Sequence, residues 1–526
     1  MKDMQALCEQ ARQLWPSEVQ ALRIDEAGRL GELRCAPQTL PELADWLFNE
    51  LSYQFAGLIV EEAGRHWELR YLFYGQAGRL YLLSEQPLAE RSFPSLSTRV
   101  HAADWQEREA EDLFGLVFSG HPRLGDFVLH DDLWPEGLEP MRRSFTGTRP
   151  VSDRQARTDW RPRRIVQAPG AFVMPIGPIY GGATESAHFL LETVGEEVIR
   201  AFPRLFYQYR GVEKRAEGAP FSQGLLLAER FAARSAFAHA LAYSRAIEAL
   251  SAVELPPRAR QLRVFFAELE RFRHHLGTIE GICTSTGLAV AASQAALLEE
   301  EALRLSGALA GHRYLFGLAA PGGLAHDVPA AACREAVSQA QAIRRRAQEL
   351  HQRLRRSSSF LDRLEQVGLI SPEQARDHGL VGPVARASGL SRDLRQAQPY
   401  SGYPSCSFRV PCEREGDGYA RLRVFFAEID QAVELMAQAA QDLPRGPVRA
   451  ECRPAAGAAL GWVEAPVGAA FHWVRLDESG RIMRYRLMTP SFANWHGFHL
   501  AAEGFAFQDF PIILATFGLS VAENDR

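Results

Sequence analysis

The sequence predicts an α+β chain: a small mixed domain first, then a larger, mainly helical unit with flanking β structure. Three observations carry this. Residues 57–75 (GLIVEEAGRHWELRYLFYG) and 78–86 (GRLYLLSEQ) are apolar runs divided by Gly-containing turns, which read as strands. Ala/Leu/Arg-rich stretches at 222–252, 256–282, 291–311, 329–365 and 416–441 are too long and too periodic for loops and read as helices. β-like patterning returns in ALGWVEAPVG and AFHWVRLDESGRIMRYRLMTP, the latter split by a turn at Gly480-Arg481.

In chain order, MKDMQALCEQARQLW reads as an amphipathic helix start with an acid at Asp3, and it lacks the apolar core of a signal peptide. PELADWLFNELSY (41–53) puts Leu43, Trp46, Leu47 and Leu51 on one side of a helix. DWQEREAEDLFG (104–115) reads as a helix stopped at Gly115. Residues 1–145 form the first domain. Residues 146–168, rich in Arg, Pro, Asp and Thr, read as an exposed linker. Residues 169–526 form the second unit, which opens with strand-like AFVMPIGPIYGG and FLLETVGEEVIRAFPRLFY.

Composition narrows the function. The 526 residues are 46% hydrophobic and 23% charged, with a net charge of −5, so there is no bulk attraction to nucleic acid or anionic lipid. The seven cysteines are scattered without a Cys-x-x-Cys pair, which reads as reduced thiols and offers no cage for an iron–sulfur cluster. No apolar run reaches the ~18 residues that crossing a bilayer requires. Of 59 basic residues only Lys2 and Lys214 are lysine, so a lysine retained inside a motif is informative. Walker, Gly-x-Gly-x-x-Gly, His-Glu-x-x-His and Gly-x-Ser-x-Gly motifs are absent.

What stands out instead is a co-linear set of polar and aromatic strings. The first domain carries Asp104-Trp105-x-Glu107-Arg108-Glu109-x-Glu111-Asp112-Leu113-Phe114-Gly115, Gly120-His121-Pro122 and Asp131-Asp132-x-Trp134. The second carries Gly177-Pro178-Ile179-Tyr180, Gly195-Glu196, Tyr209-Arg210-Gly211-Val212-Glu213-Lys214, Glu229-Arg230 and Phe237-Ala238-His239-x-x-Ala242-Tyr243. Further on come Glu268-x-Glu270-Arg271-x-x-x-His275-Leu276, Pro321-Gly322-Gly323, Glu464-Ala465-Pro466, Thr489-Pro490-Ser491-Phe492-x-Asn494 and Asp525-Arg526. The first set resembles the C-type subunit of complex I. The second resembles the D-type subunit and the homologous large subunit of membrane-bound, energy-converting NiFe hydrogenases of the hydrogenase-4 or formate hydrogenlyase type. The chain thus looks like a fused C–D-type large subunit.

The resemblance implies a peripheral subunit on the cytoplasmic side of the inner membrane, held there by partners. These would be an iron–sulfur small subunit of the B type, a ferredoxin-like subunit and antiporter-like membrane subunits, with no nucleic acid. It also implies where this chain departs from the family. The four thiolates of a NiFe centre would stand at positions occupied here by Ala232, Ser235, Ser520 and Glu523, and soft sulfur is what suits nickel. An arginine expected after Glu-Ala-Pro is Val467, and the C-terminal extension removed during nickel insertion is expected to be missing. No NiFe centre is therefore expected. The usual quinone-site His and Tyr match Thr184 and Ala233, and Ser285 matches a supporting Asp. Quinone stays a candidate acceptor through other polar groups, and no cofactor is assigned to this chain itself.

The candidate site residues follow. Glu213 is either an acid that passes protons or a structural ion-pair partner, and Lys214 makes a specific contact. Tyr180 and Thr184 would orient an acceptor, while Arg210 or Lys214 would offset developing negative charge. Glu523 would carry a proton or pair with Arg230, since a buried carboxylate needs a partner. His239 reads first as a packing histidine and second as a cofactor contact. His274-His275 would pack at a helix interface, and Cys406 and Cys412 would be free thiols. Two functions follow: electron transfer coupled to ion translocation without hydrogenase activity, or a non-catalytic scaffold between a peripheral arm and an ion-translocating membrane arm.

Overall fold

The computed structural model describes residues 3–25, 28–135, 137–147, 166–167, 169–179 and 185–526. Tyr180, Thr184 and most of the expected linker lie outside the described residues. The chain forms two compact units. The first comprises Met1–Arg163 with Arg204–Tyr209 and Asp377–Gly379; the second holds the remainder.

In the first unit, helix α1 (Met4–Leu14) starts where the Asp3 carboxylate accepts from the Gln5 amide at 2.8 Å, satisfying one of the free N–H groups of the first turn. Strands β1 (Val19–Asp25), β2 (Leu30–Cys35), β3 (Gln54–Ala63), β4 (His66–Tyr74) and β5 (Arg79–Pro87) make one sheet in the order β1-β2-β5-β4-β3. Only β2–β5 is a parallel pair. The segment at 41–53 forms α2 (Leu40–Asp45), continued by a π-helical turn over Trp46–Glu50. Helix α3 (Asp104–Phe114) stops at Gly115, whose φ of 70° is the left-handed C-terminal cap that glycine accepts without strain. The short strands β6 (Ser92–Pro94) and β7 (Val117–Ser119) pair in parallel beside it.

In the second unit, β8 (Ala171–Ile176), β9 (His188–Val194) and β10 (Glu197–Arg204) form an antiparallel meander. Helices α4 (Val212–Ala216), α5 (Phe221–Arg230), α6 (Ala236–Ser251), α7 (Pro257–Ser285) and α8 (Ala289–Ala310) follow. After the two-residue strands β11 (Ala319–Ala320) and β12 (Gly323–Leu324) comes α9 (Ala330–Leu354). Four short helices, α10 (Ser358–Leu361), α11 (Pro372–Asp377), α12 (Gly382–Ala387) and α13 (Leu394–Ala397), lead to α14 (Gly418–Gln441). Strands β13 (Gly457–Ala465), β14 (Gly468–Leu476) and β15 (Ile482–Met488) form an antiparallel sheet. The chain closes with α15 (Pro490–Ala502), β16 (Phe505–Ala506), which pairs with β10, α16 (Phe510–Phe517) and α17 (Val521–Asn524).

The main apolar core draws on α6, α7, α8, α9 and α14, including Phe265, Phe272, Leu298, Ile343 and Phe425. A second core joins α4, α5 and α6 to β14 and β15 through Val212, Tyr243, Val474, Tyr485 and Leu487. Gly461 shows how closely β13 lies on α6: a Cβ there would stand 1.8 Å from the Ala242 carbonyl oxygen.

Two predicted helices are broken. The stretch 222–252 splits into α5 and α6, with Ala232 extended at φ −138°. The buried Glu270 carboxylate of α7 then accepts from the amides of Phe237 and Ala238 at 2.8 and 2.9 Å, which fixes where α6 begins. The stretch 329–365 ends as helix at Leu354; Ser357 is extended at φ −96° and ψ 101°, and helix restarts separately as α10 at Ser358.

Candidate functional site

The break between α5 and α6 positions the candidate site. It places Ala232 and Ser235 on a tight turn and His239 on the first turn of α6, fully buried. A second element comes from α17. Its cap is Ser520, whose Oγ accepts from the Glu523 amide at 3.1 Å, and the cap aims the Glu523 side chain inward at 1% exposure. The Glu523 carboxylate accepts from His239 Nε2 at 2.7 Å and from the Ser491 hydroxyl at the start of α15. Ser520 Oγ donates to Glu185, 3.1 Å away.

His239 is held on both nitrogens. Its Nδ1 lies 3.0 Å from His472 Nε2, and His472 Nδ1 lies 2.8 Å from the Tyr485 hydroxyl. His472 on β14 faces Leu487 on β15, so Tyr485, two residues from Leu487, projects from the same face as its diagonal neighbour. All four side chains of this file, from Glu523 to Tyr485, are at most 1% exposed. Burial, reinforced by His239, holds His472 well below the ordinary histidine range, so it is neutral. Burial, reinforced by Tyr243 and Glu213, holds Tyr485 well above the ordinary tyrosine range, so it keeps its proton.

Those two states orient the file. Tyr485 O–H donates to His472 Nδ1, which leaves the His472 N–H on Nε2 to donate to His239 Nδ1. His239 then donates from Nε2 to Glu523.

On the other face of β15, Arg484 and Arg486 converge on Glu213 of α4 at 3.0 and 3.1 Å, and Arg526 approaches at 3.4 Å. The Leu487 amide also donates to it at 3.0 Å. Burial works to raise this carboxyl, but Arg486, Arg484 and Arg526 outweigh it and pull it down to about 2. Glu213 is therefore ionised at neutral pH, in keeping with the ion-pair alternative. Lys214 Nζ pairs with Glu217 at 2.8 Å, and Arg210 donates to the Ala522 carbonyl.

The expected Glu523–Arg230 pair does not form. Arg230 is 59% exposed at its side chain, lies 3.4 Å from Glu229 and sits over the Phe316 ring, whereas the cap at Ser520 turns Glu523 toward α6. His239 is buried with both ring nitrogens hydrogen-bonded, and the α5–α6 break puts it opposite the Glu523 carboxylate. His275 packs between helices with a polar partner, its Nε2 lying 2.9 Å from Glu428. Cys406 and Cys412 are free.

Sequence reasoning missed His472 and Tyr485, and it missed a larger buried ion network. In that network Arg386 binds Glu428 and Glu464, each at 2.8 Å, and approaches Asp393 at 3.5 Å. Arg395 binds Glu268 at 2.9 Å and Asp393 at 2.7 Å. Arg271 lies 3.3 Å from Glu268 and 3.5 Å from Glu428. The signal available in sequence was the pair of motifs holding Glu268, Arg271 and Glu464; nothing local pointed to Arg386 or Asp393.

These features define a class, the large subunits built on a C-type domain followed by a D-type domain. Comparison with known proteins agrees. The respiratory-chain NADH dehydrogenase 30 Kd subunit model matches residues 33–151, and the 49 Kd subunit model matches residues 289–456 and 448–526. Formate hydrogenlyase subunit 5 of Escherichia coli (strain K12) is 31% identical over 93% of this chain and 87% of its own length. Hydrogenase-4 component G of the same organism is 29% identical over 83% of this chain and 76% of its own length. The fused C/D protein of NADH-quinone oxidoreductase from Bdellovibrio bacteriovorus is 28% identical over 82% of this chain and 83% of its own length. A chain from the structure of the membrane-bound sulfane sulfur reductase, an archaeal respiratory membrane complex, superposes with a TM-score of 0.65 at 26% identity, covering 69% of this chain and all of that one. The chain belongs to the family of fused C–D-type large subunits shared by complex I and the energy-converting hydrogenases. Among the described residues no helix is long and apolar enough to cross a membrane.

Proposed function

We propose that this chain is the large subunit of a membrane-associated respiratory-type complex without hydrogenase activity. In this reading it couples electron transfer, with a quinone as acceptor, to ion translocation. It sits on the cytoplasmic side of the membrane. Electrons arrive from an iron–sulfur cluster in a B-type small subunit fed by a ferredoxin-like subunit, and antiporter-like subunits move the ions. One observation carries the reading: Glu523, at a position where the resemblance places a metal-binding thiolate, is instead tied to His239 and Ser491 inside a buried oxygen–nitrogen hydrogen-bond file. The other three positions offer a methyl group and two hydroxyls, a donor set that does not suit nickel. What the site does suit is proton handling beside an acceptor, with the cationic groups around Glu213 as a fixed field.

The second reading, a non-catalytic scaffold, draws on Glu213, which three arginines hold ionised as a structural anchor. One experiment separates the two. The complex is purified from native membranes through a tag on this chain, its nickel is measured, and its iron–sulfur cluster is reduced and exposed to a soluble quinone. Rapid reoxidation in a nickel-free complex is the expected result. Absence of a cluster, or a cluster the quinone cannot reoxidise, favours the scaffold, and stoichiometric nickel with hydrogen evolution overturns both.

A further inference from the structure

We propose that Tyr485, His472, His239 and Glu523 form a one-proton relay, with Glu523 as the group that exchanges the proton with the site. Its use in turnover rests on the redox reading above; its existence does not.

The file has no gap. The successive separations are 2.8, 3.0 and 2.7 Å, all within hydrogen-bond range, and each link joins a proton-bearing atom to one with a free lone pair. In the resting polarity every proton points toward Glu523. A hydronium proton admitted to the otherwise buried Tyr485 oxygen during turnover displaces the phenolic proton to His472 Nδ1. The His472 Nε2 proton then passes to His239 Nδ1, and the His239 Nε2 proton passes to Glu523 Oε1. Each imidazole exchanges one N–H for another, Tyr485 recovers an O–H, and Glu523 becomes a carboxylic acid. The file has gained one proton and lost one negative charge, and no electron has moved. In the reversed polarity Glu523 O–H donates to His239 Nε2, His239 Nδ1–H to His472 Nε2, and His472 Nδ1–H to the Tyr485 oxygen; the Tyr485 O–H then has no acceptor among the described residues, which favours return to the resting polarity.

Two features suit the file to this task. Burial removes competing water, so the proton stays on the file. The file also ends on a single carboxylate, so it has one place to take up a proton. The surroundings hold the ends in place. The Phe231 ring packs on His239 at 4.6 Å between centroids, and Tyr243 meets Tyr485 edge-on at 5.5 Å. The Thr489 hydroxyl donates to the Glu523 carbonyl at 3.2 Å, and Glu213 lies behind Tyr485 with its three arginines.

The discriminating variant is His472→Gln. A glutamine amide can accept from Tyr485 and donate to His239, so it preserves both hydrogen bonds, but it cannot hand a proton from one end to the other. A purely structural file therefore tolerates it and a relay does not. In the tagged complex, infrared difference spectra between high and low pH, in H2O and D2O, should show a protonated-carboxyl band and imidazole bands changing together. Glu523→Gln should abolish the carboxyl band, and His472→Gln should uncouple it from the imidazole bands. Cluster reoxidation by quinone should slow by roughly 10²-fold in His472→Gln, the scale of losing a positioned proton-transfer group, while subunit assembly is unchanged. If a variant fails to assemble, 15N-histidine labelling of the wild-type complex answers the question directly: two pH-dependent tautomer switches support the relay, and fixed tautomers at all pH values overturn it. His472→Gln spectra and rates equal to wild type also overturn it. If the wild-type complex is not reoxidised by quinone at all, the redox reading falls and the spectra alone decide the relay.

Discussion

Removing the Arg386 guanidinium is predicted to be among the most damaging single changes in this chain. Arg386 is fully buried and donates to Glu428, to Glu464 and to the Arg392 carbonyl at 2.8, 2.8 and 3.1 Å. Around it four carboxylates, Glu268, Asp393, Glu428 and Glu464, face three guanidiniums, Arg271, Arg386 and Arg395, all at 4% exposure or less. Arg386→Met conserves the apolar stem and leaves four buried carboxylates opposed by two cations. Breaking a buried ion pair by deleting one partner costs about 3–5 kcal/mol, against a total domain stability of about 5–15 kcal/mol. The unfolded population should therefore rise roughly 10²- to 10⁴-fold, seen as loss of soluble chain and of assembled complex. Glu464→Gln should partly rescue it. The glutamine oxygen can keep the bond from the Leu394 amide at 3.0 Å, and Glu464 is the acid whose ionisation burial and Asp393 already oppose. Assembly of Arg386→Met within ~1 kcal/mol of wild type, or no gain from the second change, would refute the network argument.

Three further outcomes follow from other sites. Glu107 is buried against Ser95 and the Leu96 amide, at 2.5 and 2.7 Å, yet burial dominates and raises its carboxyl to about 7. A raised acid stabilises most below its unfolded value and loses that contribution as pH climbs toward 7. Hydrogen exchange in α3 and β4 should thus quicken over that range by up to about 3 kcal/mol, and Glu107→Gln should flatten the slope. Gly461→Ala should cost about 1–3 kcal/mol, read as a lower unfolding temperature, because the added Cβ meets the Ala242 carbonyl. Glu213→Gln should destabilise assembly at neutral pH but lose that effect in acid, as pH falls through the unfolded carboxylate value toward about 2.

Much of the fold could be read in the sequence because local signals agreed with the tertiary outcome. Asp3, Gly115 and the turn at Gly480 all sit where capping and turn chemistry place them. The α5–α6 break could not be read, because its cause is the Glu270 carboxylate from another helix. The proton file was hidden for a subtler reason. Counting back from the Gly480-Arg481 turn, where Leu476 pairs with Ile482, would set His472 opposite Arg486 and send Tyr485 to the other face. A bulge between Arg475 and Leu476 shifts the register by one, so His472 meets Leu487 and Tyr485 swings in beside it. Glu523 was singled out by its position in a motif, but its true partner depended on a break and a cap that only the fold reveals.

The measurement that bears most directly on the central claim is the reoxidation of the reduced complex by a soluble quinone, with Glu523→Gln beside the wild type. Wild-type reoxidation that slows sharply in the variant, with nickel absent from both, is the predicted result. Equal rates in the two would contradict a proton role for Glu523 in turnover.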